Sequence, residues 1–132
     1  YISYNDEKFT GEFERKDPRT GKINMVGSVK NGELHGTSYS YDENGKLKEE
    51  ITFKKGMKEG ASKLYYPSGA VSAKLNYKND RYEGLQKYYY ENGKLQAEIE
   101  MSKGQLDGVT KMYDENGKLK EEIIYKNGKK VK

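Results

Sequence analysis

The sequence has no cysteine, one histidine, two prolines and no long apolar run. Without cysteine there is no disulfide and no thiolate metal site, and the redox compartment stays open. No apolar stretch approaches the ~18 residues that a membrane-spanning helix needs. Charge of a single sign is missing too. Lys and Arg number 25 against 21 Asp and Glu, so the net +4 is spread thinly through locally alternating Lys and Glu. That pattern speaks against nucleic acid as a partner and disfavours a membrane surface. Hydrophobic residues make up only 33% of the chain and charged residues 35%, a balance that favours disorder. What is present argues the other way: thirteen tyrosines and an apolar pattern that is ordered. The length fits one domain.

The order lies in a repeat. YDENGKLKEE occupies residues 41–50 and again 113–122. Glycines at 21, 45, 69, 93 and 117 step by 24, and so does a second column, Gly36, Gly60, Gly84 and Gly108. A fixed period in this range signals a repeat architecture. The expected organisation is a single repeat domain over 1–132. Residues 1–30 form a degenerate, partial first copy, followed by full copies at 31–54, 55–78, 79–102 and 103–126 and a C-terminal end at 127–132. Ile2, Tyr4 and Phe9 match Leu75, Tyr77 and Tyr82 of the pattern, so the chain begins mid-repeat. DPRTG at 17–21 carries one extra residue. Lys132 falls where the glycine column expects Gly, so the array is expected to stop there.

Each copy reads as strand, turn, strand, turn. Gly45 after Asp42-Glu43-Asn44 predicts a type I turn closed by a left-handed glycine. Pro67 in YPSG, and Pro18 likewise, falls at the turn position where its fixed φ is favoured. The second connection, KNG at 30–32 and its equivalents, predicts another tight turn. Leu47, Ile51 and Phe53, with their counterparts in later copies, alternate with polar residues at the period of two of a half-buried strand. A glycine about every twelve residues argues against helix. The expected fold is therefore all-β: an elongated single-sheet antiparallel β-meander of about ten strands, built from 24-residue β-hairpin repeats.

Running the period of two through each hairpin predicts that Tyr41 faces Leu47, Thr37 faces Ile51 and Lys111 faces Glu121. Tyr41, Tyr65, Tyr89 and Tyr113 then line a first face beside Leu47, Val71, Leu95 and Leu119. Such aromatic–aliphatic pairs stabilise a sheet by roughly 0.2–1 kcal/mol each.

The motif G-x4-Y-Y/D-x-N-G-K-L-x-x-E followed by Y/F-K-N-G resembles the MORN-repeat family in its bacterial variant form, most closely in GLQKYYYENGKLQAEIEMSKG at 84–104. Ala70, Ala73 and Lys58 depart from the commonest letters. The resemblance implies an elongated antiparallel sheet that acts as a binding or scaffolding module. Bacterial members are often labelled antitoxin or immunity components, and some are labelled kinases. The chain starts at Tyr1 rather than Met, so an upstream segment is expected to be missing. The compartment is left open between bacterial envelope or secreted and cytoplasmic.

No chemistry is legible in the residues. The glycines fall in turns and form no phosphate loop, and there is no kinase catalytic loop. His35 reads as structural or solvated. Glu49-Glu50 and Glu121-Glu122 are strand neighbours and point to opposite faces. Asp42 and Asp114 cap turns. No enzyme activity and no cofactor are expected.

The second face carries the candidate site. Copies two to four place Leu64, Tyr66, Tyr88, Tyr90 and Met112 there, rimmed by Lys74, Lys94, Lys118, Lys120, Gln96 and Glu98. An aromatic patch not needed for folding marks an interface. Two readings stay open. Either this patch binds a partner, or it is the core and the Tyr41, Tyr65, Tyr89, Tyr113 ladder lies outside. The expected function is a non-catalytic protein-binding module. One version implied by the resemblance is a toxin-neutralising or immunity protein. The alternative is a membrane-surface or phospholipid-headgroup binder. The partner protein is unidentified, and the chain is expected to be a monomer or a weak homodimer through the second face.

Overall fold

The computed structural model describes the backbone at residues 3–4 and 7–8 and the chain from 10 to 131. The matches drawn at Ile2, Phe9 and Lys132 lie outside the described residues, as does the side chain of Tyr4.

Ten main strands follow one another along the chain: Gly11–Lys16, Ile23–Lys30, Gly36–Tyr41, Leu47–Lys54, Gly60–Tyr65, Val71–Lys78, Gly84–Tyr89, Leu95–Ser102, Gln105–Tyr113 and Leu119–Lys126. Each pairs antiparallel with its neighbours in sequence order, and four two-residue pieces complete a 14-stranded sheet. Ser3–Tyr4 and Glu7–Lys8 pair separately. The all-β single-sheet meander is the observed architecture.

Turn chemistry makes the hairpins. Asp42 N–H donates to the Lys46 carbonyl and Gly45 N–H to the Asp42 carbonyl, at 2.9 and 3.0 Å. The Asp42 carboxylate accepts from the Asn44 and Lys46 amides, and Asp114 repeats the arrangement. Gly45 has φ +80°, where a side chain is disfavoured. The second connections are two-residue turns with both residues at positive φ, such as Asn31-Gly32 and Lys55-Gly56, the geometry that matches strand twist.

The register departs from the simple alternation. Tyr41 does pair with Leu47, but Ser40 pairs with Glu49, leaving Lys48 as a β-bulge. The same bulge falls at Ser72, Gln96 and Lys120. One extra residue shifts everything beyond it to the other face. Thr37 therefore faces Thr52 rather than Ile51, and Lys111 faces Glu122 rather than Glu121. Ile51, Leu75, Ile99 and Ile123 leave the tyrosine ladder and join the face of Leu64, Tyr88 and Met112.

That face holds the core. Val29, Ala73, Leu75 and Ala97 are buried there, with Ser38, Ser62, Gln86 and Thr110. Gln86 is fully buried and satisfied: its carbonyl accepts from Asn76 N–H at 2.7 Å, and its amide donates to the Asn76 and Gly84 carbonyls. In the first copy the volumes are exchanged. Phe13 faces Gly27, and a Cβ on Gly27 would come within 2.9 Å of the Phe13 ring.

Candidate binding face

Directly paired residues form one unbroken row across the packed face. Its central stretch runs Leu64, Ala73, Tyr88, Ala97, Met112. Large and small side chains alternate, so each alanine is covered by the larger residues beside it. Four strand spacings make this stretch ~19 Å long. Leu64 and Tyr88 are half-buried and Met112 is 39% exposed. Glu49 and Glu121 bound it at either end.

Three of the five expected site residues are thus brought together. Tyr66 and Tyr90 are not in the row. They occupy the turns of copies two and three, where copies one and four have the capping Asp42 and Asp114. Their hydroxyls reach the next copy: Tyr66 donates to the Tyr89 carbonyl at 2.5 Å and Tyr90 to the Tyr113 carbonyl at 2.7 Å. Both tie successive hairpins together. The expected rim is also corrected. Lys74 and Glu98 pair with Lys63 and Lys111 on the opposite face, because the bulge reverses their side.

Two tyrosines join the site that the alternation misplaces or leaves out. Tyr77 pairs with Tyr82, their rings stacked with centroids 5.0 Å apart and Lys58 Nζ 5.1 Å from the Tyr77 centroid. Burial, and then the neighbouring Tyr82 hydroxyl, raises the Tyr77 phenol well above the usual tyrosine range. Tyr88 is raised by burial and by Tyr82 as well. These phenols stay protonated through ordinary pH and present neutral, amphipathic rings. The bulge is the missing signal, since it moves Tyr77 onto this face.

The opposite face carries the Tyr41, Tyr65, Tyr89, Tyr113 ladder. Tyr65 donates to Glu50 at 2.7 Å and Tyr113 to Glu98 at 3.1 Å. Glu49 and Glu50 sit on opposite faces, paired with Leu64 and Lys63.

A single sheet of stacked hairpins with an alternating apolar row defines a repeat-built scaffold. The profile of the MORN repeat variant matches residues 34–55, 58–79, 82–103 and 106–127, more than half the chain, and the chain belongs to that family. Its repeats are binding modules rather than catalytic ones. A comparison with curated proteins finds no match.

Proposed function

We propose that the chain is a non-catalytic module that docks a protein partner on its packed face. The observation that supports this is the Leu64, Ala73, Tyr88, Ala97, Met112 row, whose large side chains remain partly exposed although the buried residues of the same face lie among and beside them. Tyr77 and Tyr82 extend it with stacked aromatic surface, the residue type that dominates interface energetics. Tyr66 and Tyr90 serve it indirectly by holding adjacent hairpins in line. A toxin-neutralising or immunity role is the concrete version we favour, and it rests on the family resemblance alone. The partner would be masked by this face.

A pull-down from lysate and culture medium of the source organism tests the reading. Met112 is exposed, so the uncharged Met112→Ser, which places no like charge opposite Glu121, is expected to melt like the wild type while losing the captured protein. Leu64→Ser, used only if it melts cooperatively, probes the other end of the row. Undiminished capture by both folded variants contradicts the proposal. Pelleting of the chain with anionic vesicles would favour the membrane-surface alternative instead.

A further inference from the structure

The face away from the packed one has its own row of direct pairs. In its middle, Lys63, Lys74 and Lys87 face one another on three adjacent strands, between Glu50 and Glu98. Like charges directly opposite destabilise a sheet. The other three copies avoid this, with Glu50, Glu98 and Glu122 at the position that Lys74 occupies. The flanking Glu50 and Glu98 accept hydrogen bonds from Tyr65 and Tyr113 and form no ion pair with the lysines. Lys74 instead stands 5.6 Å from the centroid of the Tyr89 ring. Among the described residues, none of the three lysines forms an ion pair. Beside them is a shallow hollow of about 340 Å³ lined by Ala61, Asn76 and Leu85, and Leu85 is 36% exposed.

We propose that this triad docks an acidic, partly apolar helix of a partner protein. Carboxylates of the helix would meet the ammonium groups, and an apolar side chain would enter the hollow. Adjacent strands are ~4.8 Å apart, and helix residues three or four apart have Cβ atoms about 5–6 Å apart. A helix laid across the strands therefore matches the lysine spacing. The patch is three strands wide and bounded by Glu50 and Glu98. Glu50 and Glu98 lie in line with the lysines, one strand beyond each end, so an extended anionic membrane would meet them, whereas a helix can confine its own carboxylates to the two turns above the lysines. The inference rests on the reading of the chain as a binding module but uses the opposite face, so the two can fail separately.

The test is fluorescence anisotropy with a labelled synthetic helical peptide carrying Glu at i, i+4 and i+8 and Leu at i+3 and i+7, at low and physiological ionic strength. Its scrambled isomer and phosphatidylserine vesicles serve as comparisons. The wild-type chain is expected to bind the peptide at least about tenfold tighter than the isomer, with affinity falling as salt rises. Lys74→Glu, which restores the pattern of the other copies, is expected to lose at least about tenfold in affinity and to melt at the same or a higher temperature. Lys74→Gln, which removes only the charge, keeps the test standing if Lys74→Glu fails to fold. Met112→Ser, on the packed face, is expected to bind the peptide like the wild type. Equal binding of the two peptides, insensitivity to the Lys74 substitutions, or Lys74-dependent binding to the vesicles without peptide binding would overturn the proposal.

Discussion

A single histidine shows how the repeats are joined at the level of residues. In the two-residue turns the first amide points back at the preceding copy. Asn79 N–H donates to Glu59 at 2.8 Å, Lys103 N–H to Glu83 at 2.9 Å and Asn127 N–H to Asp107 at 3.3 Å. Asn31 N–H donates to the Thr10 hydroxyl at 2.9 Å. The corresponding residue for Lys55 is His35, and among the described residues His35 makes no such bond. His35→Glu is expected to install the missing cap and to stabilise the chain by about 1 kcal/mol, as a hydrogen bond to a charged acceptor at a partly solvated site does. Urea melting checks this, and an unchanged midpoint contradicts it. Gly93, at φ +88° with open space within 4 Å of where a Cβ would stand, is constrained by its backbone and not by its neighbours. Gly93→Val is expected to destabilise by at least about 1 kcal/mol, and an unchanged melting curve would contradict the turn geometry.

At the scale of elements, the hairpins are legible in the sequence and the faces are not. Turn residues carry their own signatures: Gly45 and its column at positive φ, Pro18 and Pro67 at fixed φ, Asp42 and Asp114 as caps. The bulges carry none. Lys48, Ser72, Gln96 and Lys120 are ordinary residues, and a strand that absorbs one extra residue looks like a regular alternation until its partner is known. The pattern finds Leu64, Tyr88 and Met112 but places them on the wrong side of Leu75 and Ile99. Tyr66 and Tyr90 read as surface aromatics because their hydrogen-bond acceptors lie about a full repeat away in sequence. Deleting Ser72 removes only the extra residue and leaves Val71 opposite Tyr65 and Ala73 opposite Leu64, so the deletion chain is expected to keep its faces and to melt cooperatively. Loss of cooperative melting in the deletion chain would show that Ser72 is a ladder residue and not the extra one.

The tyrosines give the elements a pH signature. Tyr65 is pushed up to about 12, first by burial and then by its bond to Glu50. The folded chain thus holds this proton to higher pH than an unfolded chain, whose tyrosines titrate near ~10. Stability from this group is complete below ~10 and falls as pH rises through about 12. Tyrosinate absorbance of the folded protein is expected to lag behind that of the protein in urea. Tyr65→Phe is expected to lessen the alkaline loss of stability. Coincident titrations of folded and unfolded chain would contradict both.

On the scale of the whole molecule, stability is a sum over neighbouring hairpins. Tyr66 and Tyr90 at one end of each hairpin, and the Glu59, Glu83 and Asp107 caps at the other, carry that coupling from copy to copy. The packed row and the lysine triad are consequences of the same register, on opposite sides of one sheet. Both faces are set by a bulge that recurs in every full copy, and its copy-four instance at Lys120 places Met112 opposite Glu121. The absence of cysteine allows a direct measurement, disulfide trapping under mild oxidation. Met112→Cys with Glu121→Cys joins two exposed, directly opposed positions, within the separation a disulfide accepts. Lys111→Cys with Glu121→Cys reports the unbulged register. Rapid cross-linking of the first pair and little of the second is the expected result. Cross-linking of the second pair in place of the first would exchange the faces and contradict the bulged register.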